Sequence, residues 1–437
     1  MSTPIPSTGP GDTGRPGTTP GMSRDFWLFF AGQSVSNLGS SVTTFALPLL
    51  VFKLTGSALD LGLATAATFL PFLLFGLVIG AWVDRVDRRR LMIATDLVQA
   101  ATLAAIPLLA AADLLSVWDV YAVAFASSTL RIASDAAQFA AIPSLVPGDD
   151  LVTANGRIQA SYSAASISGP PLAGLLVALV PVETLFLVDA ASFVVSAGSL
   201  AMVRSRFNAA RDATGPSPDP AGIFRDVVEG LRYVWGQPVL RAISLMMALV
   251  NLVGTTVFTQ LVYFAKEELA ATDSEIGILY AAGSAGVVVL SLAAGPLRRR
   301  FSFGVVALGA LMVSGLLTVV LGASTVVWHV VVLEGLIAGL GTLFNINTAA
   351  VRQAIVPDHL LGRVMSVAGV LAFSAIPLGT LAGGWLIDRT GDIRLVYSGI
   401  GIATALIAAG FFVFSPLGRA ERYLPAPETL PAAPSPG

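Results

Sequence analysis

Cysteine is absent from the 437 residues, which excludes disulfides, thiolate metal sites and cysteine nucleophiles. Two histidines, His329 and His359, are too few for an imidazole metal cluster, so neither a metal nor a cofactor is expected. The only two lysines, Lys53 and Lys266, do not follow a glycine. The chain therefore lacks the Gly-Lys-Ser/Thr of a phosphate loop and carries no ATP site of its own, although a separate ATPase subunit is not excluded. There is no His-Glu-x-x-His and no Gly-x-Ser-x-Gly within an apolar run. The usual kits of a membrane-embedded enzyme are thus missing, and that reading is the remote alternative. Charge is also scarce, at 12% of residues against about a quarter in soluble proteins. Nothing marks a nucleic-acid partner.

Hydrophobic residues make up 55% of the chain and the mean hydropathy is +0.79, which points to a bilayer as the solvent. From Phe26 onward, runs of about 20 apolar residues recur, each long enough to cross a hydrocarbon core as a helix. Twelve spans are predicted, at 26–52, 60–82, 91–112, 118–140, 157–180, 183–203, 241–265, 275–297, 302–323, 327–349, 364–386 and 393–414. The expected fold is an all-α integral membrane protein. Residues 1–22, rich in Pro, Gly, Ser and Thr, read as a disordered tail and not a signal peptide. Residues 416–437, rich in Pro and Ala, read as a second one. Lys and Arg fall twenty on the tail side and four on the other, with Arg131 inside a span. Both termini are therefore expected in the cytoplasm, in a multi-pass protein of the cell membrane.

The longest connection, 204–240, contains Ala-Thr-Gly-Pro-Ser-Pro-Asp-Pro-Ala-Gly and divides a bundle at 23–203 from one at 241–415. Within it, Ile223, Val227, Leu231 and Val234 form one stripe, the pattern of a helix lying on the membrane surface. The two bundles echo each other. Asp60-Leu61-Gly62-Leu63 recurs 215 residues later as Glu275-Ile276-Gly277-Ile278, and Gly80 and Arg85 recur as Gly295 and Arg300. Two matched sets of six spans are the mark of a transporter whose halves enclose a site near the membrane midplane. A receptor or sensor would be expected to carry a soluble domain, and no loop here is long enough for one.

The loop after the second span reads Gly80-Ala81-Trp82-Val83-Asp84-Arg85-Val86-Asp87-Arg88-Arg89-Arg90. It resembles motif A of the major facilitator superfamily, with Asp87 where many members carry glycine. Together with Leu-Thr-Gly-Ser-Ala at 54–58, Leu-Val-Pro at 145–147 and Asp189-Ala190-Ala191-Ser192-Phe193, it is similar to the enterobactin-exporter and macrolide-efflux-like branch. The resemblance covers 24–415. It implies the two-bundle major facilitator fold, a monomer, and a latch in which Asp84 and the arginines hold the halves in the outward-facing state. Independently of it, a carboxylate at that mouth can pair with arginine or cap a helix N-terminus. The bland reading is that the arginines only enforce topology.

Gly169-Pro170-Pro171-Leu172-Ala173-Gly174 in the fifth span resembles motif C, which in this superfamily implies export by antiport. The eleventh span echoes it with Pro377, Gly379 and Gly383-Gly384. The expected function is secondary export of amphipathic small organic molecules, drug or natural product, against a proton or a sodium ion. A narrow siderophore or metabolite exporter of the same fold is the alternative.

Polar groups inside spans are costly and are functional candidates by default. Gln33, Asn37, Ser40 and Thr44 share one face of the first span, Arg131 and Asp135 lie one turn apart in the fourth, Asn251, Thr255 and Phe258 align in the seventh, and Glu334 and Asn345 in the tenth. The superfamily resemblance implies that these four spans line the cavity. Gln33 and Asn37 can equally bind neighbouring helices, and Arg131 with Asp135 can be a structural pair. Glu334 has no local basic partner and is the first choice for proton carrier, ahead of Asp135 and Asp189. Its alternative is an outer carboxylate in contact with water near Trp328. Asp189 reads as structural, and Asp96 as a support for the arginine loop.

Overall fold

A backbone inside hydrocarbon must satisfy its amides and carbonyls internally, so each long apolar run closes into a helix. The structure is a computed structural model and describes residues 22–83, 85–147, 150–205, 207–208 and 220–423. The helices are α1 (Arg24–Thr55), α2 (Ala58–Val83), α3 (Arg88–Ala111), α4 (Val117–Leu145), α5 (Leu151–Leu176), α6 (Leu185–Met202), α7 (Pro220–Gly236) and α8 (Pro238–Thr259). They continue as α9 (Leu261–Glu267), α10 (Asp273–Arg300), α11 (Gly309–Ala323), α12 (Val327–Ile355), α13 (Asp358–Phe373), α14 (Ala375–Thr390) and α15 (Ile393–Phe414). Among the described residues, ten helical stretches are long and apolar enough to cross a membrane. The remaining long helices, α4 and α5, have 29 and 26 residues, enough to cross, but Arg131, Asp135 and a series of serines dilute their apolar character.

Two runs that the sequence presents as single spans are broken. Between α8 and α9, Gln260 turns its amide Nε2 out to donate to the Ala58 carbonyl at 2.7 Å. Helix α13 stops at Phe373, four residues before Pro377, whose ring nitrogen has no hydrogen to return to that carbonyl.

The internal repeat has a physical content. Ser57 Oγ accepts the Asp60 N–H at 3.2 Å where α2 begins, and Thr272 Oγ1 accepts the Glu275 N–H at 3.3 Å where α10 begins. Both are N-caps. Five residues beyond each cap comes a glycine at which helices touch. A Cβ on Gly62 would lie 2.5 Å from the Thr380 carbonyl oxygen of α14, and one on Gly277 would lie 2.5 Å from the Cα of Gly174 in α5. Each repeat thus starts a helix and then presents a bare backbone to the opposite half, giving two related seams, α2 on α14 and α10 on α5.

These seams lie toward the end of the bundle where α1 finishes, called here the far end; the end where α1 begins is the tail end. At the far end one continuous core joins both halves, including Leu50, Leu61 and Phe186 with Phe264, Ile276 and Tyr397. At the tail end the cores are separate among the described residues. One contains Phe26, Phe29, Met92 and Phe207, and another contains Ile243, Phe303, Leu308 and Leu417. The halves are therefore closed together at the far end and parted at the tail end.

Two expectations are corrected here. The residues after 415 are not disordered from their start: Pro416–Tyr423 forms a short 3-10 segment, kinked at Arg419, whose Leu417 and Ala420 are fully buried. Glu421 pairs with Arg298 at 3.4 Å and fixes the segment under the second half. Helix α7 does not simply lie on the membrane surface, because Val234 is buried with Leu240, Val356, Leu360 and Val364 against α13. Residues 1–21, 209–219 and 424–437 lie outside the described residues.

Candidate functional site

A cavity of about 280 Å³ lies between the halves. Ser41 and Thr44 of α1, Ser166 and Pro170 of α5, Phe258 of α8, Tyr280 of α10 and Glu334 of α12 line it. The Tyr280 ring packs edge-on against Phe45 at 5.5 Å and Phe258 at 5.7 Å, a geometry that aromatic quadrupoles favour. Glu334 is only 5% exposed and makes no hydrogen bond or ion pair to any described residue. Its carboxylate is turned into the bundle, and the alternative of a water-washed outer carboxylate does not hold.

A second lobe of about 210 Å³ extends into the first half and shares Thr44 and Phe258 with the first. Leu47, Phe69, Leu103, Val123 and Phe193 give it apolar walls, and Arg131 and Asp189 give it charge. Arg131 pairs with Asp135 at 3.6 Å, each side chain about half exposed, and Tyr162 donates to Asp135 at 3.3 Å. Asp189 accepts from Thr43 at 2.6 Å, Ser40 at 3.3 Å and Ser192 at 3.2 Å, so three hydroxyls hold it between α1 and α6.

Other candidates are used between helices or, for Thr255, within its own helix. Gln33 donates to Ser196 at 3.0 Å, Asn251 to the Ala372 carbonyl at 2.8 Å, and Thr255 to the Asn251 carbonyl at 2.6 Å. Asn251, Thr255 and Asn345 do not line either lobe. Asn37 borders a small polar pocket with Gln33, Asp96, Arg131 and Asp135. Asp96 therefore belongs to that pocket and does not support the arginine loop.

The loop after α2 is fastened within its own half. Asp87 caps α3, accepting the Arg90 N–H at 2.8 Å, which gives a role to the residue standing at the usual glycine position. Arg88 donates to the Ala140 carbonyl at 2.9 Å and the Phe207 carbonyl at 3.3 Å, and Arg89 to Leu200 at 2.9 Å and Ala201 at 2.5 Å. Arg85 and Arg90 are exposed, Gly80 sits in the last turn of α2, and Asp84 lies outside the described residues. In the fifth span Pro170 faces the central cavity, while a Cβ on Gly169 would lie 2.2 Å from the Cβ of Ser41, so that glycine seats α5 on α1. Pro171 and Gly174 border the α10 seam.

Sequence reasoning missed an ionic contact across the far end. Both lysines of the chain bind one carboxylate, Lys53 of α1 at 2.6 Å and Lys266 of α9 at 2.5 Å from Asp273 of α10. Their rarity in an arginine-rich chain was the available signal. Tyr280 was missed as well, because nothing in a run of apolar residues says which face meets the opposite half.

Two helical halves, closed together at one membrane end and enclosing a lobed central cavity, define a membrane transporter of the major facilitator fold. The chain belongs to the transmembrane secretion effector family, whose model matches residues 18–428. It is 31% identical over 380 residues to the multidrug efflux pump Tap of Mycolicibacterium fortuitum, covering 83% of this chain and 89% of that one. It is 28% identical to macrolide efflux protein A of Streptococcus pyogenes, covering 84% and 90%. Among solved structures it resembles a bacterial homologue of the human lysosomal transporter Spinster, inward-facing and unoccupied, with a TM-score of 0.72 at 14% identity over 94% of this chain and 100% of that one. It also resembles a bacterial homologue of the iron transporter ferroportin in its inward-facing state, with a TM-score of 0.70 at 18% identity over 89% and 98%. At these identities the likeness to the solved structures is one of fold.

Proposed function

We propose that this chain is a monomeric secondary exporter of amphipathic small organic molecules, drugs or natural products, working by alternating access and proton antiport. The names of the relatives, multidrug and macrolide efflux proteins, support the substrate class. The Lys and Arg distribution supports a cytoplasmic tail end, so that the described state opens inward. Substrate enters from that side and spreads its apolar part into the lobe walled by Leu47, Phe69 and Phe193. For export, the far-end seams part and the tail ends of the halves close. The motif A arginines, with Asp84, then latch the closed tail end.

The observation that carries the proton assignment is Glu334, an almost fully buried carboxylate without a partner among the described residues, facing the cavity shared by both halves. Coupling requires that substrate and proton favour different states, since a ligand shifts an equilibrium only by its differential affinity. A single carboxylate reached alternately by each meets that condition.

The test is accumulation of a panel of fluorescent and antibiotic compounds in efflux-deficient cells, with and without a protonophore. Reduced accumulation, reversed by the protonophore, is expected. Glu334→Gln is expected to abolish pH-driven efflux while sparing substrate binding to the purified protein. Full efflux by that variant moves the assignment to Asp135 or Asp189. A panel with no change, at confirmed expression, refutes broad export and leaves the narrow siderophore or metabolite exporter.

A further inference from the structure

We propose that the first half holds a second cation site, built around Asp96 and separate from Glu334, which binds one monovalent cation, a proton or a sodium ion. Asp96 and Gln99 lie three residues apart on α3 and so share a face. They are 2% and 3% exposed. Ser196 presents its hydroxyl to the Asp96 carboxylate, yet Asp96 Oδ2 has no hydrogen-bond partner. Gln99 makes no side-chain hydrogen bond to any described residue. Buried polar groups of native proteins are satisfied by protein, water or an ion, so two unmatched groups side by side mark an occupant.

The space and chemistry for that occupant are present. Both residues border a pocket of about 20 Å³, room for one water-sized particle. Gln33 and Asn37 of α1 and Ser134 of α4 add neutral oxygen-bearing groups to a lining that also holds Arg131 and Asp135. The Gln33 amide nitrogen is committed to Ser196, which leaves its oxygen for the pocket. Oxygen donors around Asp96, with the second carboxylate of the lining, Asp135, paired to Arg131, suit a hard cation.

The charges facing the pocket leave a vacancy of one. Arg131 is matched by Asp135, which also receives the Tyr162 hydroxyl. Asp189, on the adjoining lobe, is served by three hydroxyls. Among the residues lining this pocket, Asp96 is the carboxylate without a cation, and an ionised carboxylate left buried and unpaired is strongly disfavoured. A proton or a sodium ion each supplies the missing charge; Arg131 cannot, because its guanidinium is engaged by Asp135.

The experiment uses the full-length purified protein in detergent and follows thermal unfolding. One arm compares sodium chloride with choline chloride at equal ionic strength; the other varies pH in choline chloride alone. If sodium is the occupant, the wild type is stabilised saturably by sodium, and Asp96→Asn weakens the apparent affinity at least tenfold. If the proton is the occupant, sodium has no specific effect, and the wild type shows a pH-dependent step that Asp96→Asn removes. Either result supports the site. Glu334→Gln retains the Asp96-dependent response in both cases, so failure of the proton assignment at Glu334 is read separately. Identical sodium and pH responses in the wild type and Asp96→Asn overturn the proposal and leave a water in the pocket. Should Asp96→Asn not fold, Asp96→Glu moves the carboxylate by one methylene; a half-saturating sodium concentration or step pH that does not move overturns it equally.

Discussion

The α10 seam allows a conformational equilibrium to be biased by a single methyl group. Gly277→Ala places a Cβ 2.5 Å from the Cα of Gly174, whereas carbon atoms rest at about 3.5–4.0 Å. The helices must separate by about 1 Å or more, and what they meet is backbone, which no rotamer change can move aside. Forcing an extra methylene into a packed contact costs about 1–3 kcal/mol. The contact lies near the far-end terminus of α5, so the cost falls on the far-end-closed state and is relieved when that end opens. An energy of that size corresponds to a shift of about 5–150-fold in population toward far-end opening. Because the chain has no cysteine, a pair introduced at Leu114 and Val326, exposed positions at far-end turns of the two halves, can carry spin labels at those sites alone. The label distance distribution is expected to gain a longer component in Gly277→Ala. A folded variant with the wild-type distribution refutes the claim that this seam holds the far end shut.

Two other perturbations follow from the same contacts. Lys53 is 38% and Asp273 22% exposed, so solvent screens the pair and its share is at most about 1 kcal/mol. Lys53→Met is expected to lengthen the same label distance by a smaller population shift than Gly277→Ala, fading as salt is raised, and Asp273→Asn, which loses both lysines, to exceed it; no change in either rejects an ionic latch. Asp87→Ala removes the cap of α3 and is expected to lower stability by about 1 kcal/mol, while Asp87→Gly costs only a few tenths. Thermal unfolding in detergent separates the two variants, and equal values would show that the cap at Asp87 does not contribute.

What could be read from the sequence follows from which constraints are local. Apolar run length is dictated by bilayer thickness, so the spans stand out, although several helices run five or six residues past the expected apolar ends, as at Leu145, Leu151, Ile355 and Asp358. The correspondence of Asp60-Leu61-Gly62 with Glu275-Ile276-Gly277 was visible because capping and close approach each demand particular residues at particular steps. Facing is not local. A water-soluble helix shows its buried side by an apolar stripe, but a helix surrounded by lipid is apolar on its outer face too, so the stripe vanishes. Spacing alone placed Gln33, Asn37 and Thr44 on one side of α1, yet could not say that Gln33 meets Ser196 while Thr44 meets the cavity. The same spacing put Asn251 and Thr255 in line with Phe258, yet of the three only Phe258 lines the lobes, while Asn251 is turned to the Ala372 carbonyl. Glu334 and Asp96 show the limit most clearly. Each is one carboxylate in an apolar helix, and only the assembled bundle distinguishes them, one facing a cavity between the halves and the other enclosed within the first half. If the proposed alternating access holds, a cation at the first would be reached from each side in turn, whereas a cation at the second, lined by the first half alone, would act on transport through how well that half holds together.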